Sequence, residues 1–261
     1  MLMSEEQQIF LKKVKHQKKI IFIIQIIILL LFLGLWQFCS ANKIINPFIF
    51  SSPSRIFNKI VVLFKTGSLF KHIMYTFIEV MLAFVIGIGI SFINAILLYL
   101  FTPLKKVMDP YLTIFNSLPK VSIGPILIIW FGANIKTIVI MGILVNFIIS
   151  TLSLVSGFEN INQNWILLFR SLKAKKKDML RYLIIPGSLD NIITVLKVNI
   201  SMSLIGVIMG EFLTSKMGLG YLIIYGTQIF DLDLVMASIT LLLIISFILY
   251  KLVQMGLKRY N

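Results

Sequence analysis

The sequence predicts an all-α membrane protein built as a bundle of about six transmembrane helices. Of its 261 residues, 58% are hydrophobic and only 13% are charged, against about 25% charged in ordinary soluble domains. The mean hydropathy is +0.96. The apolar runs are long and unbroken, without the alternating polarity of membrane β-strands. Because one span takes about 20 residues, the chain has no room for a large soluble catalytic domain.

Charge and composition exclude several other classes of protein. The net charge of +15 suits the basic cytoplasmic loops of membrane proteins, so no nucleic-acid partner is predicted. The single cysteine, Cys39, excludes an internal disulfide and a cysteine-based zinc site. His16 and His72 lie far apart in the sequence. We therefore predict neither a metal site nor a bound cofactor in this chain.

The N-terminal third is predicted to carry one span and one surface helix. Residues 1–19 form a basic segment, and residues 20–38 form the first transmembrane helix. A cleaved signal peptide is the alternative, but the apolar run is long and no small-residue cleavage site follows it. Residues 39–72 form an extracytoplasmic loop. Apolar residues at helical spacing over 54–65 predict a short amphipathic helix there.

Residues 73–257 form the predicted transmembrane core. The second span runs over 73–101 and the third over 111–131, with interruptions at Pro119 and Pro125. The fourth, fifth and sixth spans cover 135–155, 188–210 and 232–252. Short loops are expected at 102–110 and 211–230. The polar stretch 156–186 is the largest loop of the core.

The distribution of basic residues predicts the topology. With both termini in the cytoplasm, sixteen of the 25 Lys and Arg residues lie on the inner side and seven on the outer side. An excess of basic residues on the cytoplasmic side is the usual bias of membrane proteins. The prediction is a multi-pass membrane protein with both ends inside and lipid around it.

Small polar residues recur on one face of three predicted spans. Such residues line a solute pathway, or they let helices pack closely and hydrogen-bond to each other. Both interpretations stay open for this set. The candidates for the pathway wall are Ser91, Asn94, Asn146, Ser150, Thr194, Lys197 and Ser201.

Two charged residues lie within predicted spans. Glu79 lines a pathway or reaches the lipid headgroups, since it lies about two turns into the second span. Lys197 lies deeper, in the fifth span. Its ammonium group can snorkel towards the cytoplasmic surface, with Asp190 on the same face, or it can form an electropositive pathway for an anion.

The sequence contains no recognisable catalytic arrangement. It has no Gly-rich phosphate loop, no cluster of metal ligands and no plausible Ser/His/Asp set. Energy for transport must then come from another subunit or from an ion gradient. A gradient-driven secondary transporter is the alternative function, although inverted repeats and midplane acidic sites are not evident. A membrane scaffold without transport is the third hypothesis.

The loop 156–186 follows a helix–break–helix pattern. An apolar cluster at Trp165, Leu167, Leu168, Phe169 and Leu172 precedes a basic run over 173–177. Exposed apolar residues on a short helix indicate a protein partner. A helix lying on lipid headgroups, held there by its lysines, is the alternative.

The sequence resembles a known family, the permease subunits of bacterial ABC importers of the sulfonate, nitrate and taurine type. This family also includes pyrimidine-precursor permeases. The similarity covers about Phe48 to Lys258. Ser51–Ser54, Leu183–Pro186 and the set Thr194, Leu196 and Lys197 are similar to family segments. The matching motif residues are Pro119, Pro125, Gly132, Pro186, Glu211, Gly218 and Gly220.

The resemblance implies a type I ABC importer permease fold and a coupling helix. In the family, a short helix with an "EAA…G" motif docks on the ATPase subunit. The triplet falls here on Leu167, Leu168 and Phe169, and the helix-breaking glycine falls on Lys173, so both the Glu and the Gly are missing. The implied ATPase-coupling residues are Trp165, Leu167, Leu168, Phe169, Arg170, Ser171, Leu172, Lys173 and Ala174.

The resemblance also implies partners and a division of labour. The chain would act as a homodimer with two copies of an ABC ATPase and an extracytoplasmic binding protein. ATP and Mg²⁺ would belong to the ATPase, so this chain would not itself be an enzyme. The solute would be a small anion such as a sulfonate, nitrate or taurine, or a pyrimidine vitamin precursor. Which of these is carried stays open.

Overall fold

A computed structural model describes residues 5–257 of the chain, and every regular element in this range is helical. Residues 1–4 of the predicted basic N-terminal segment, and the basic tail beyond 257, lie outside the described residues. The principal helices are α1 (Glu5–Ala41), α2 (Pro53–Lys65), α3 (Ser68–Leu100), α4 (Thr102–Ser117), α5 (Gly124–Phe131), α6 (Ile135–Glu159), α7 (Gln163–Ser171), α8 (Leu189–Thr214), α9 (Leu219–Gln228) and α10 (Leu232–Leu257).

Short helical turns connect several of these helices. Pro47–Phe50 precedes α2, and the 3₁₀ turn Lys120–Ile123 joins α4 to α5. Between α7 and α8 the chain forms Lys176–Met179, a π-helical segment Leu180–Ile184, and Ile185–Gly187. The helix–break–helix prediction for this loop is confirmed.

Five of the described helices are long and apolar enough to cross a membrane, and the number is six if the bent pair α4 and α5 counts as one span. The prediction of about six membrane helices is therefore confirmed. The surface helix predicted over 54–65 is present as α2. The predicted first span, 20–38, lies in the C-terminal half of the longer helix α1.

Two predicted loops are wrong. Residues 102–110 are helical, because Pro103 stands in the first turn of α4, where its missing N–H costs no hydrogen bond. Pro110 lies inside the same helix. The predicted loop 211–230 contains α9. The predicted interruption of the third span at its two prolines is confirmed, since α4 and the segment Lys120–Phe131 meet at 92°. The first half of this span begins earlier than predicted, at Thr102.

The core of the bundle is formed by α3, α6 and α8. Helix α6 packs along both of the others. One group of buried apolar side chains, including Val80, Ile138 and Val207, fills the half near α9. A second group, including Leu98, Leu154 and Phe158, fills the half near α7. We call these two halves the α9 end and the α7 end of the bundle.

The close packing of α6 and α8 depends on glycines. A methyl group added at Gly206 would lie 2.7 Å from the Cα of Gly142 and 2.8 Å from the carbonyl oxygen of Met141. Both neighbours are backbone atoms, so a change of rotamer could not relieve the clash. Close approach of membrane helices through small residues is what stabilises them in lipid.

We expect Gly206→Ala to destabilise the protein by about 1–3 kcal/mol, because overpacking forces the two helices apart. The measurement is the thermal unfolding temperature in detergent. Gly89→Ala, on α3, is the matched control, since nothing lies within 4 Å of an added methyl group there. Equal melting temperatures for the two variants would contradict this account of the packing.

Candidate functional site

The loop at the α7 end holds a short capped helix. The side chain of Asn162 accepts a hydrogen bond of 2.9 Å from the backbone N–H of Asn164, which caps the N-terminus of α7. Asn is among the preferred N-cap residues because its side chain satisfies a free N–H group. This local interaction fixes where α7 begins, four residues after the end of α6.

Helix α7 is terminated by Lys173, two residues after its last residue, Ser171. Lys173 has a left-handed backbone conformation. The φ angle of Lys173 is 56°. Its N–H donates to the carbonyl of Arg170 at 2.9 Å, and the N–H of Ala174 donates to the carbonyl of Phe169 at 3.0 Å. These two bonds form a Schellman motif, in which glycine is the usual residue at the left-handed position. Lys173 therefore breaks the helix at the position where the family motif has glycine.

Most apolar residues of α7, and Leu172 directly after it, are exposed. Trp165, Leu167, Leu168 and Leu172 are 46–70% exposed. Phe169 is half-buried, and Arg170 and Ser171 are exposed. A nine-residue helix that leaves this much apolar surface uncovered is suited to bind a partner.

The segment that follows α7 is anchored in the bundle. Leu180 and Ile184 are buried among core residues that include Leu98, Phe158 and Val195. The ammonium group of Lys176 donates to the carbonyl of Leu100 at 3.1 Å. A force on α7 would therefore reach the start of α8 and the end of α3 directly. Pro186 lies in this connection, in the short helix Ile185–Gly187.

Three of the pathway candidates are buried between helices. Ser91, Asn146 and Ser150 are 0–3% exposed. The side-chain amide of Asn146 donates to the carbonyl of Ala83 at 3.0 Å and to the hydroxyl of Ser203 at 2.6 Å. Ser91 donates to the carbonyls of Gly87 and Phe147. Their positions favour the helix-packing interpretation over the pathway interpretation.

Sequence reasoning missed the partners of this polar network. Asn199 donates to the hydroxyl of Ser150, and Ser203 donates to the carbonyl of Asn199 at 2.9 Å. Both residues are buried on α8. Their spacing of four residues on one predicted span was the signal that could have identified them.

The other four pathway candidates have accessible surface. Asn94, Lys197 and Ser201 are half-buried, and Thr194 is exposed, with its hydroxyl bonded to the carbonyl of its own helix at Asp190. Lys197 forms no ion pair with Asp190 or with any other residue whose side chain the structure describes, namely 13, 14 and 16–256. The pathway role of these residues stays a prediction.

Several family-motif residues shape the α9 end. Glu211 is 1% exposed. Its carboxylate accepts hydrogen bonds from the hydroxyl of Thr76 at 2.6 Å and from the backbone N–H of Gly220. The N–H of Leu219 donates to Thr76 at 2.8 Å. The start of α9 is thereby tied to α3 and α8.

The two glycines of this motif leave room for the carboxylate. Gly218 has a φ of 105°, and a methyl group added at Gly218 or Gly220 would collide with the Glu211 side chain. His72 binds the backbone of Gly218 at 3.1 Å. His72 and Thr76 were not predicted, although they lie one turn apart on α3.

Glu79 occupies an unexpected position beside Glu211. It is 1% exposed, so its carboxylate does not reach the lipid headgroups. Its carboxyl group neighbours that of Glu211, and its Oε2 atom has no hydrogen-bond partner within the described chain. The residue also lines a cavity of about 380 Å³ that opens near Asn134 and Lys216.

The remaining motif residues define the bent pair α4 and α5. Pro119 precedes the 3₁₀ turn, and Pro125 stands in the first turn of α5. Gly132, with a φ of 80°, ends α5 and leads into α6. Proline and glycine at these positions produce the break because neither continues a helix well.

The chain matches one family of membrane proteins over most of its length. The family is described as the binding-protein-dependent transport system inner membrane component, and the match covers residues 83–260. This range includes α6, the loop with α7, and the Glu211 motif.

Individual relatives carry consistent names. A probable ABC transporter permease protein of Haemophilus influenzae is 27% identical over 87% of this chain and 92% of its own length. The taurine transport system permease protein TauC of Escherichia coli is 23% identical over 87% and 82% of the two chains. The formylaminopyrimidine transport permease protein ThiX of Halalkalibacterium halodurans is 27% identical over 74% and 76%.

A solved structure has the same fold. A chain of the MetNI methionine ABC transporter, in an inward-facing conformation, superposes with a TM-score of 0.61 at 16% identity. The superposition covers 78% of this chain and 98% of the other. This similarity confirms the predicted permease fold.

We expect Lys173→Gly to stabilise the loop by about 1 kcal/mol, because glycine adopts the left-handed conformation without the steric cost paid by lysine. Amide hydrogen exchange of residues 165–174 measures the change as slower exchange. Lys175→Gly is the matched control, since Lys175 has a φ of −71° and gains nothing from glycine. Faster exchange in the Lys173 variant would contradict the Schellman assignment.

Proposed function

Because the chain belongs to the family of binding-protein-dependent transport system inner membrane components, we propose that two copies of it form the transmembrane pathway of an importer. It is a multi-pass permease subunit of an ABC importer. Members of this class work with an ATPase and with a substrate-binding protein. The copy number, the docking residues, the orientation and the solute given below are our proposal.

The observation that carries the proposal is the form of α7. The helix presents exposed Trp165, Leu167 and Leu168 and ends in a left-handed residue at the glycine position of the family motif. The departures from the motif sequence thus leave the shape of a coupling helix intact. We propose that residues 165–174 dock into a groove of the ATPase subunit.

The anchoring of the loop supplies the mechanical link. When ATP binding closes a pair of ATPase subunits, the two docked α7 helices are drawn together. Because Leu180 and Ile184 are packed in the core, the movement reaches α3 and α8. These helices would then open the central pathway outward, which is an alternating-access mechanism.

ATP hydrolysis, with its Mg²⁺, belongs in this scheme to the ATPase subunit. The permease chain contributes binding surface and movement and no catalytic residue. We propose that the α7 end and both termini lie in the cytoplasm, and the excess of basic residues on that side supports this orientation. The α9 end then faces the extracytoplasmic binding protein.

We propose that the solute is a small anion of the sulfonate, nitrate or taurine type, or a pyrimidine vitamin precursor. Relatives named for taurine and formylaminopyrimidine transport support both classes. The accessible residues Asn94, Thr194 and Ser201 offer hydrogen bonds to such a solute. Lys197 offers a positive charge without a counter-ion among the described side chains of 13, 14 and 16–256, which favours an anion.

The docking proposal predicts the result of a pull-down from detergent-solubilised membranes with a tag at the C-terminus. The native chain should recover an ATPase subunit. The double variant Leu167→Asp/Leu168→Asp should recover at least about tenfold less, because carboxylates placed in an apolar groove cost more than the 1.4 kcal/mol that a tenfold loss requires.

The matched control is Gln163→Glu/Asn164→Asp, which adds two charges of the same sign to exposed polar positions of the same helix. This variant should recover the ATPase like the native chain. Failure of the native chain to recover any ATPase from a monodisperse sample would contradict the importer mechanism. Equal losses in both variants would contradict docking through the apolar face.

The pathway proposal predicts that Lys197→Met lowers ATP-driven uptake of labelled taurine into proteoliposomes. The expected loss is about tenfold or more, because a charge-assisted hydrogen bond of about 1.5–3 kcal/mol is removed. Lys197→Arg should retain most of the uptake. A lower melting temperature or a loss of the ATPase in the Met variant would instead identify Lys197 as an anchor.

A further inference from the structure

A cavity of about 440 Å³ lies between the end of the bundle and the loop that carries α7. We call it the basic cavity. Leu98 and Phe158 are buried side chains of its floor, and Tyr99 also lines it. Its charged lining residues are Lys105, Arg170, Lys176 and Glu159. The cavity thus combines apolar residues at the end of the bundle with charged residues on α4, at the end of α6 and in the loop.

Positive charge exceeds negative charge around this cavity. Lys105 pairs with Glu159 at 2.5 Å and lies 3.9 Å from Asp109. Lys176 donates to the carbonyl of Leu100 at 3.1 Å and to the hydroxyl of Thr102 at 3.3 Å. These partners are neutral, so the Lys176 charge is not compensated.

Arg170 adds a third cation with its donors available. It is exposed, and it forms no ion pair and no side-chain hydrogen bond among the residues whose side chains are described, 13, 14 and 16–256. A guanidinium group carries five N–H donors and recognises phosphate with two parallel hydrogen bonds. An arginine that lines a cavity with an uncompensated lysine is suited to bind an anion.

The backbone at the cavity also favours an anion. Helix α4 has 16 residues, and its first residue, Thr102, and its fourth, Lys105, line the cavity. The positive end of a helix lies at its N-terminus, where phosphate groups bind well. In α4 this contribution is reduced, because Pro103 has no N–H and that of Lys105 donates to the carbonyl of Phe101. The cations and the start of α4 therefore point to the same kind of ligand.

We propose that the basic cavity binds a phosphate ester anion, and that its occupant is an acidic phospholipid such as phosphatidylglycerol. This assignment rests on the proposed function, which places the α7 end in the cytoplasm. The apolar floor at Leu98 and Phe158 lies where the membrane helices end, which is the depth of lipid headgroups. Basic cavities between membrane helices on the cytoplasmic side are typical sites for such headgroups.

A bound lipid would tie the coupling loop to the bundle. Arg170 lies on α7, Lys105 lies on α4, and Lys176 lies in the segment after the helix break. One phosphate group bonded to all three would join α7 to the end of α3 and to α4. Acidic lipid would then stiffen the path by which α7 transmits movement.

The test compares two charge-matched variants of the full chain in nanodiscs of phosphatidylcholine with and without phosphatidylglycerol. Arg170→Gln/Lys176→Gln removes two charges that line the cavity. Lys175→Gln/Lys177→Gln removes two charges from the same loop that do not line it. Native mass spectrometry after extraction measures how much phosphatidylglycerol is retained, and thermal melting checks that both variants fold.

We expect the native chain and the Lys175/Lys177 variant to retain phosphatidylglycerol. The Arg170/Lys176 variant should retain at least about tenfold less, because it lacks two of the charges that attract the anionic headgroup. Equal retention in all three chains, or equal losses in both variants, would overturn the site, because general surface charge would then explain binding.

Two further measurements complete the test. One distinguishes a lipid from soluble phosphate, and the other distinguishes failure of the lipid site from failure of the proposed function. Inorganic phosphate added to phosphatidylcholine nanodiscs should not raise the melting temperature of the native chain. A rise that the Arg170/Lys176 variant lacks would assign the cavity to soluble phosphate and overturn the lipid.

An ATPase subunit recovered by pull-down should leave the lipid in place. Displacement of the lipid by the ATPase would assign the cavity to the protein interface and overturn the lipid site. A chain that retains the lipid but recovers no ATPase would contradict the proposed function alone, so the two failures are distinguishable.

Discussion

Hydrogen bonds between buried polar side chains and the neighbouring helices determine how α3, α6 and α8 pack in the lipid-embedded bundle. Asn146 is fully buried and donates to the backbone of α3 and to Ser203 of α8. Because water is absent from the bilayer core, these bonds hold the three helices in one register. Gly87 belongs to the same arrangement, since a side chain there would occupy the position of the Asn146 amide.

The α9 end is stabilised by a second polar cluster and by ion pairs. Glu211 holds the start of α9 against α3. Arg55 and Lys59 of α2 pair with Asp233 and Asp231 near the start of α10. Salt bridges of this exposure contribute about 0–1 kcal/mol each, so they orient α2 rather than stabilise the bundle. The result is a firmly connected end opposite the loop with α7.

The loop with α7 combines an exposed surface with a firm attachment. The apolar residues of α7 remain uncovered within the described chain, while Leu180 and Ile184 are packed in the core. Lys173 adopts a left-handed conformation, which is less stable by about 1–2 kcal/mol for a residue other than glycine. That the helix ends here without glycine indicates that the bundle and the loop, rather than local preference, determine the position of the break.

Much of the architecture could be read from the sequence, since a run of apolar residues as long as a bilayer is thick is itself a linear feature. The spans, the surface helix α2, the break near Pro119 and Pro125 and the helix–break–helix loop all follow from composition and periodicity. The spacing of Asn199 and Ser203 marks them as candidates for a polar network, but the particular atoms that Asn146, Thr76 and Glu79 contact could not be read in this way. Their contacts join residues more than fifty positions apart, and only the folded arrangement of helices brings a particular polar atom to a particular acceptor. The left-handed Lys173 and the basic cavity were hidden for the same reason, because backbone conformation and the meeting of α4, α7 and the end of α6 depend on tertiary packing.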